Sequence, residues 1–240
     1  MHNAAFRALD MDWTYELLDV PPESLAGALE GLRAGDVAGA NVTIPHKQAV
    51  MNHLDAVEPE ALRARAVNTI VNRDGRLEGA NTDLGAIRRA VEEVGVEPRG
   101  AEAVILGTGG AARTAALALE GAHLTFVSRH PDGADVPGRV VAWSDPGVPK
   151  LTRAAQLLVN ATPLGRREEM PLRPAGLPRE GAVIDLVYVT GGTPLVRKAR
   201  SVGLRTVDGW EILLRQGALA FEMWTGRGAP VEAMRETLRP

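Results

Sequence analysis

The sequence has no cysteine, which excludes disulfides, thiolate metal ligands and cysteine nucleophiles. It has no apolar run near the ~18 residues that a membrane-spanning helix needs. The first ten residues, MHNAAFRALD, lack the hydrophobic centre of a secretory leader. Excess positive charge is also missing. A net charge of −3 and a pI of about 6.0 argue against a nucleic-acid footprint. The five histidines (His2, His46, His53, His123 and His130) show no ligand spacing, so no metal is expected. There is no internal repeat and no low-complexity linker. These absences make the cytoplasm the default expectation, without membrane or nucleic-acid partners.

Lysine is scarce too: 3 against 24 arginines. One of the three, Lys47, closes the strand-like run GANVTIPHK (Gly39 to Lys47). Where arginine serves for plain positive charge, a retained lysine suggests work a guanidinium cannot do. Arginine holds its proton under all useful conditions, whereas an ammonium can release one. Taken alone, Lys47 reads more plainly as a surface lysine at a strand end.

At 240 residues the chain suffices for one large domain or two small ones. Alternating strand and helix patterns predict an α/β fold with mostly parallel sheets. WTYELL (Trp13–Leu18) and AGANVT read as strands. IVNRDGRLEGANTD reads as a hairpin, since Asp74-Gly75 between alternating arms is a type I′ turn signal. The period then changes: Leu84, Ile87, Val91 and Val94 share one helical face. From there the chain reads as a doubly wound nucleotide-binding unit, with strands in AVIL, HLTFVSR, RVVAW, QLLVNAT, GAVIDLVY and LRTVDG. The segment GWEILLRQGALAFEMWTG is a long amphipathic helix returning to the first unit. The expected division is 1–82 with 210–240 as a substrate domain, and 83–209 as a Rossmann-like dinucleotide domain.

GTGGAA follows a strand and opens a helix. Gly107 and Gly109 hold the first two fingerprint positions and Ala112 the third, so a pyrophosphate would sit on the helix N-terminus. A tight strand–helix turn is the plainer reading of the same residues. An NAD-binding unit places Asp or Glu about 20 residues on. Here Ser128, Arg129 and His130 occupy that place. Arg129 suits a 2′-phosphate, which points to NADP.

Together the motifs GANVTIPHK, AVNTI (Ala66–Ile70), GANTD (Gly79–Asp83), GTGGAAR, VNATPLG (Val159–Gly165), DLVY (Asp185–Tyr188) and DGWEILLRQGALAFEMWTG (Asp208–Gly226) resemble shikimate dehydrogenases over nearly the whole chain. The resemblance implies reversible NADPH-dependent reduction of 3-dehydroshikimate to shikimate, within aromatic amino-acid biosynthesis. It implies Lys47 and Asp83 as the catalytic pair. Asn41, Thr43, Asn68, Tyr188 and Gln216 match substrate contacts. Gly107, Thr108, Gly109, Gly110, Ala111, Ser128, Arg129, His130, Thr162, Leu186, Gly209 and Leu213 match cofactor contacts. Singly these residues read more plainly: Asn68 and Asn81 as turn asparagines, Asp83 as a helix cap, Gln216 as a surface glutamine.

The chain departs from the family in places. A strand and a serine turn that hold the substrate carboxylate normally precede the helix that MHNAAF resembles, so weak turnover of the chain as given is expected. Gly133 stands where a second basic residue is common. Glu211 stands where a small residue is usual, and VTGGT (Val189–Thr193) replaces the usual loop. The alternatives are an NAD-using quinate/shikimate dehydrogenase and a non-catalytic NADP-binding paralogue or fragment. Both a monomer and a homodimer are compatible with the sequence.

Overall fold

The computed structural model describes residues 1–238, and the chain divides into two units: Met1–Gly85 with Leu214–Pro240, and Ala86–Leu213. The first unit holds α1 (His2–Ala8), α2 (Leu25–Gly31), β1 (Gly39–Asn41), β2 (Ala56–Val57), α3 (Pro59–Ala64), β3 (Thr69–Arg73), β4 (Arg76–Ala80) and the start of α4 (Thr82–Glu93). Its sheet has the order β1-β3-β4-β2, with β1 and β4 antiparallel to β3 and β2 parallel to β4. Asp74 and Gly75 both take positive φ, 52° and 87°, so the β3–β4 hairpin closes as its Asp-Gly pair predicts. Val67, Ile70 and Leu77 are fully buried and pack with Leu25, Leu29 and Val50 beneath the sheet.

The strand expected at Trp13–Leu18 is not formed. The segment runs without ladder pairing, and its two leucines stay open, Leu17 at 90% and Leu18 at 69% exposure. A paired strand would bury at least one of them, and neither is buried here. At its centre the Asn3 side chain stands in for a neighbouring strand. Asn3 Nδ2 donates to the Tyr15 carbonyl at 2.9 Å, and Tyr15 N–H donates to Asn3 Oδ1 at 2.6 Å. One amide thus satisfies both backbone groups of Tyr15.

The second unit contains β5 (Glu102–Leu106), α5 (Gly110–Ala118), β6 (His123–Ser128), β7 (Arg139–Ala142), α6 (Val148–Ala154), β8 (Leu157–Asn160), β9 (Ala182–Asp185), α7 (Pro194–Ser201), β10 (Arg205–Val207) and the start of α8 (Gly209–Thr225). A short α9 (Val231–Glu236) follows in the first unit. The six strands are parallel, in the order β10-β9-β8-β5-β6-β7. All residues of β8 and β9 are buried, as expected of strands covered on both faces. The order reverses between β5 and β8, which makes the sheet doubly wound. In such sheets ligands bind at the carboxyl ends of the strands beside the reversal. The protein is an α/β fold with a Rossmann-like unit.

Candidate active site

In the first unit, Lys47 Nζ donates to Asp83 Oδ2 at 2.7 Å. The lysine sits in the turn after β1, where its own carbonyl accepts from Val67 N–H at 2.8 Å. His46, expected at a surface or cleft edge, ties the same turn to the Val20 carbonyl through Nε2 at 2.6 Å. Asp83 lies in the first turn of α4. Helix capping does not occupy its carboxylate, because Asn81 does that work: Leu84 N–H donates to Asn81 Oδ1 at 3.1 Å, and Asn81 Nδ2 donates to the Ala66 carbonyl at 2.8 Å. With side-chain exposures of 30% and 27%, the pair is held in place yet open to a ligand.

Beside it lies a lattice of amides and hydroxyls. Asn68, 2% exposed, accepts from Thr82 N–H at 2.7 Å through Oδ1. Its Nδ2 donates to Thr82 Oγ1 at 3.0 Å and to Gln216 Oε1 at 3.3 Å. Thr69 and Thr82 hydroxyls are bonded at 3.0 Å. Asn41 Nδ2 donates to the Asn68 carbonyl and to Thr69 Oγ1, each at 3.3 Å, and Tyr15 Oη–H donates to Asn41 Oδ1 at 3.1 Å. Thr43 is exposed in the turn, and its carbonyl accepts from His46 N–H at 2.9 Å. Lys47, Asp83, Asn41, Thr43, Asn68 and Gln216 therefore all belong to the first unit. Sequence reasoning did not find Tyr15, Thr69 and Thr82. Tyr15 read as a strand residue, and threonines beside asparagines carry no signal of their own.

The remaining candidates lie in the second unit. Gly107 leaves β5 with φ +101°, and a Cβ there would lie 3.1 Å from Thr162 Cγ2 and 3.2 Å from the Ala161 carbonyl oxygen. Only glycine combines that backbone with that approach. Thr108, Gly109, Gly110 and Ala111 continue the loop into α5. No side chain caps the helix at Gly109. Arg113, one turn on, has a buried Nε without a partner. Ser128 Oγ pairs with Thr108 Oγ1 at 3.2 Å and accepts from His130 N–H at 3.1 Å, while Arg129 and His130 stand exposed at the end of β6.

Thr162 is fixed by Asn160, whose Oδ1 accepts from Thr162 N–H at 3.1 Å and from its hydroxyl at 2.7 Å. Asn160 Nδ2 in turn donates to Asp185 Oδ1 at 2.9 Å, and Thr193 Oγ1 donates to Asp185 Oδ2 at 2.6 Å. Asp185 is fully buried, and that burial pushes its carboxyl up to about 6 against the pull of these donors. Leu186 follows, its N–H bonded to the Asn160 carbonyl at 3.0 Å. Tyr188 is 47% exposed, and its ring lies 5.3 Å from that of Trp210. Gly209 is buried where a Cβ would overlap the Val187 carbonyl and Tyr188 nitrogen, so α8 starts against that loop. Leu213 lies one turn along α8, half-buried. Among the described residues no cluster of potential metal ligands occurs, and no helix is long and apolar enough to cross a membrane.

Residues 1–70 match the family described as shikimate dehydrogenase substrate binding domain, and residues 209–239 match the shikimate 5'-dehydrogenase C-terminal domain. The shikimate dehydrogenase (NADP(+)) of Moorella thermoacetica is 46% identical over 256 residues, spanning 100% of this chain and 87% of that protein. The enzyme of the same description from Symbiobacterium thermophilum is 46% identical over 254 residues, spanning 98% and 86%. The crystal structure of shikimate 5-dehydrogenase from Thermus thermophilus, in complex with NADP(H) and shikimate, matches with a TM-score of 0.88 at 38% identity. That match covers 99% of this chain and 91% of the other.

Proposed function

The chain belongs to the shikimate dehydrogenase family, and we propose that it catalyses the reversible NADPH-dependent reduction of 3-dehydroshikimate to shikimate in the cytoplasm, with Lys47 and Asp83 as its catalytic pair. The observation that carries this is the 2.7 Å Lys47–Asp83 contact beside the amide lattice of Asn41, Asn68 and Gln216. NADPH, when bound, would supply the hydride for the ketone carbon, and NADP would accept it in the reverse direction. What the protein must provide is a proton for the oxygen, which would otherwise be left as an alkoxide. Lys47 Nζ gives that proton in reduction and recovers it in oxidation. Asp83 holds the amine in one position and balances its charge, so that donor and acceptor meet without a search. The substrate carries a carboxylate and several hydroxyls. Buried amides suit such a ligand because they can donate and accept in fixed directions. We assign Asn41, Thr43, Asn68, Gln216 and Tyr188 to that contact.

The residues of the second unit fit NADP. The glycine turn lies at the reversal point of the sheet, and α5 begins without a side-chain cap. Arg113 keeps a buried Nε unpaired close to that helix end, so the loop is short of an acceptor that a pyrophosphate would supply. Gly107 to Ala111, Thr162, Leu186, Gly209 and Leu213 would surround the dinucleotide. Ser128, Arg129 and His130 would receive the 2′-phosphate, with Arg129 the principal charge. No carboxylate stands at 128–130 to hold free ribose hydroxyls, which favours NADP over NAD. The test is an absorbance assay of shikimate oxidation by the purified protein with NADP, run in parallel with NAD and with quinate. NADP-linked turnover of shikimate is expected. Binding of NADP without turnover of either polyol would overturn the proposed activity.

A further inference from the structure

The segment around Tyr15 has no ladder partner, yet it is fixed at three points. Asn3 takes both backbone groups of Tyr15. His2, itself 3% exposed, stacks on the Tyr15 ring with centroids 4.6 Å apart and planes at 28°. Trp224 packs against both rings, 5.1 Å from His2 and 6.1 Å from Tyr15, with its own Nε1–H donated to the Ile70 carbonyl at 2.8 Å. A surface tyrosine does not need this much support. The product of that support is a single polar contact, the phenol donating to Asn41 Oδ1 at 3.1 Å. That bond and the Asn68 carbonyl, which can only accept, agree on which end of the Asn41 amide faces which neighbour. With the oxygen engaged by Tyr15, Nδ2 is directed to the Asn68 carbonyl and Thr69 Oγ1, both at 3.3 Å. Bonds of that length are weak and shared, so either can yield to a better acceptor.

We propose that Tyr15 is a positioning residue of the substrate site: its hydroxyl locks the Asn41 amide with Nδ2 available to an oxygen of the bound polyol carboxylate. The proposal rests on the reading of Asn41 as a substrate contact. Without the phenol, Oδ1 loses its donor and the amide is held only by the two long bonds of Nδ2, so fewer molecules present the correct end. Tyr15 touches no reacting atom, and its effect should therefore appear in substrate binding rather than in the chemical step.

The experiment is a cycle of Tyr15→Phe, Asn41→Ala and the double variant, with KM for shikimate, KM for NADP, kcat and Tm measured for each. Phenylalanine keeps the ring stack on His2, so the fold is retained. For Tyr15→Phe, KM for shikimate should rise about 3- to 10-fold, the worth of one neutral hydrogen bond, with kcat within about 2-fold and KM for NADP unchanged. On the Asn41→Ala background the same change should have no further effect. An unchanged shikimate KM in Tyr15→Phe would sink the proposal, as would an equal rise on both backgrounds. Parallel loss for both substrates with a lowered Tm would give Tyr15 a structural role only. If Asn41→Ala leaves KM unchanged while Tyr15→Phe raises it, the reading of Asn41 fails, and with it the route by which Tyr15 acts. If both leave KM unchanged, neither statement survives.

Discussion

Asn68 and Gln216 stand 148 positions apart in the chain, and Asn68 Nδ2 donates to Gln216 Oε1 at 3.3 Å. The contact explains why a glutamine on an amphipathic helix is buried, at 9% exposure, rather than solvated. It also ties the returning helix α8 to the segment that leads into β3. Asn68→Ala removes the acceptor of Thr82 N–H as well as this bond. A buried donor left without a partner costs about 1–3 kcal/mol. We expect the unfolding free energy to fall by that amount in a denaturant titration, together with a shikimate KM at least about 10-fold higher. A KM change with no loss of stability would mean that water replaces the asparagine without cost.

Lys47→Ala should lower kcat roughly 10²- to 10⁴-fold with a smaller change in KM, the usual share of a positioned general acid. Lys47→Arg should be nearly as poor. The guanidinium can still pair with Asp83, but it does not release its proton. The lysine backbone is held by Val67 independently of its side chain, so the turn should persist in both variants. Steady-state kinetics in both directions decide the matter, and a wild-type kcat in the arginine variant would return Lys47 to the role of a surface charge.

Arg129→Ala should raise KM for NADP about 10- to 100-fold and leave use of NAD nearly unchanged. A single charge-assisted pairing with the 2′-phosphate is worth about 1.5–3 kcal/mol, and NAD lacks that group. Gly133 adds no second cation nearby in sequence, so Arg129 carries most of the discrimination. Parallel loss with both dinucleotides would show that the residue supports the loop instead.

Much of the architecture is legible in the residues, and the reasons differ from place to place. The Asp74-Gly75 hairpin is readable because a local backbone demand selects those two residues. The face of Leu84, Ile87, Val91 and Val94 is readable because burial, 1 to 2% exposure at each, imposes the helical period. Trp13–Leu18 reads as a strand by its apolar residues and forms none. Alternation records what a strand could bury, and says nothing of whether a neighbour is there to pair. At the site, Asp83 reads by sequence as the helix cap and Asn81 as a turn asparagine. Coordinates separate them, giving the cap to Asn81 and leaving Asp83 to Lys47. The support of Asn41 by Tyr15 bridges 26 positions through an irregular segment, and no local pattern reports such a contact.

Two buried titratable groups predict opposite responses to acid. His2 in the first unit is held at about 4, below its ordinary 6.5, chiefly by burial and then by the adjacent amino terminus. The Asn41 side chain pulls the other way without reaching regular hydrogen-bond geometry with the ring. Between those values the unfolded chain binds a proton that the folded chain refuses, so the His2 contribution to stability is full above pH 6.5 and drains away towards pH 4. Asp185 in the second unit is raised from 3.8 to about 6, again chiefly by burial. Here the folded chain keeps a proton that the unfolded chain has lost, so its contribution is full below pH 3.8 and is lost as pH rises to 6. Each shift exceeds two pH units, equivalent to roughly 3 kcal/mol at most. In the wild type the two trends oppose each other between pH 4 and 6. Substitution separates them. His2→Phe keeps the stack on Tyr15 and removes the titration, so relative to wild type it should gain stability as pH falls from 6.5 to 4. Asp185→Asn resembles the protonated acid, so relative to wild type it should gain stability as pH rises from about 4 to 6. Chemical denaturation of the three proteins at half-unit pH steps reads both differences. Curves that stay parallel to wild type across this window would show that neither group is held away from its ordinary protonation in the fold.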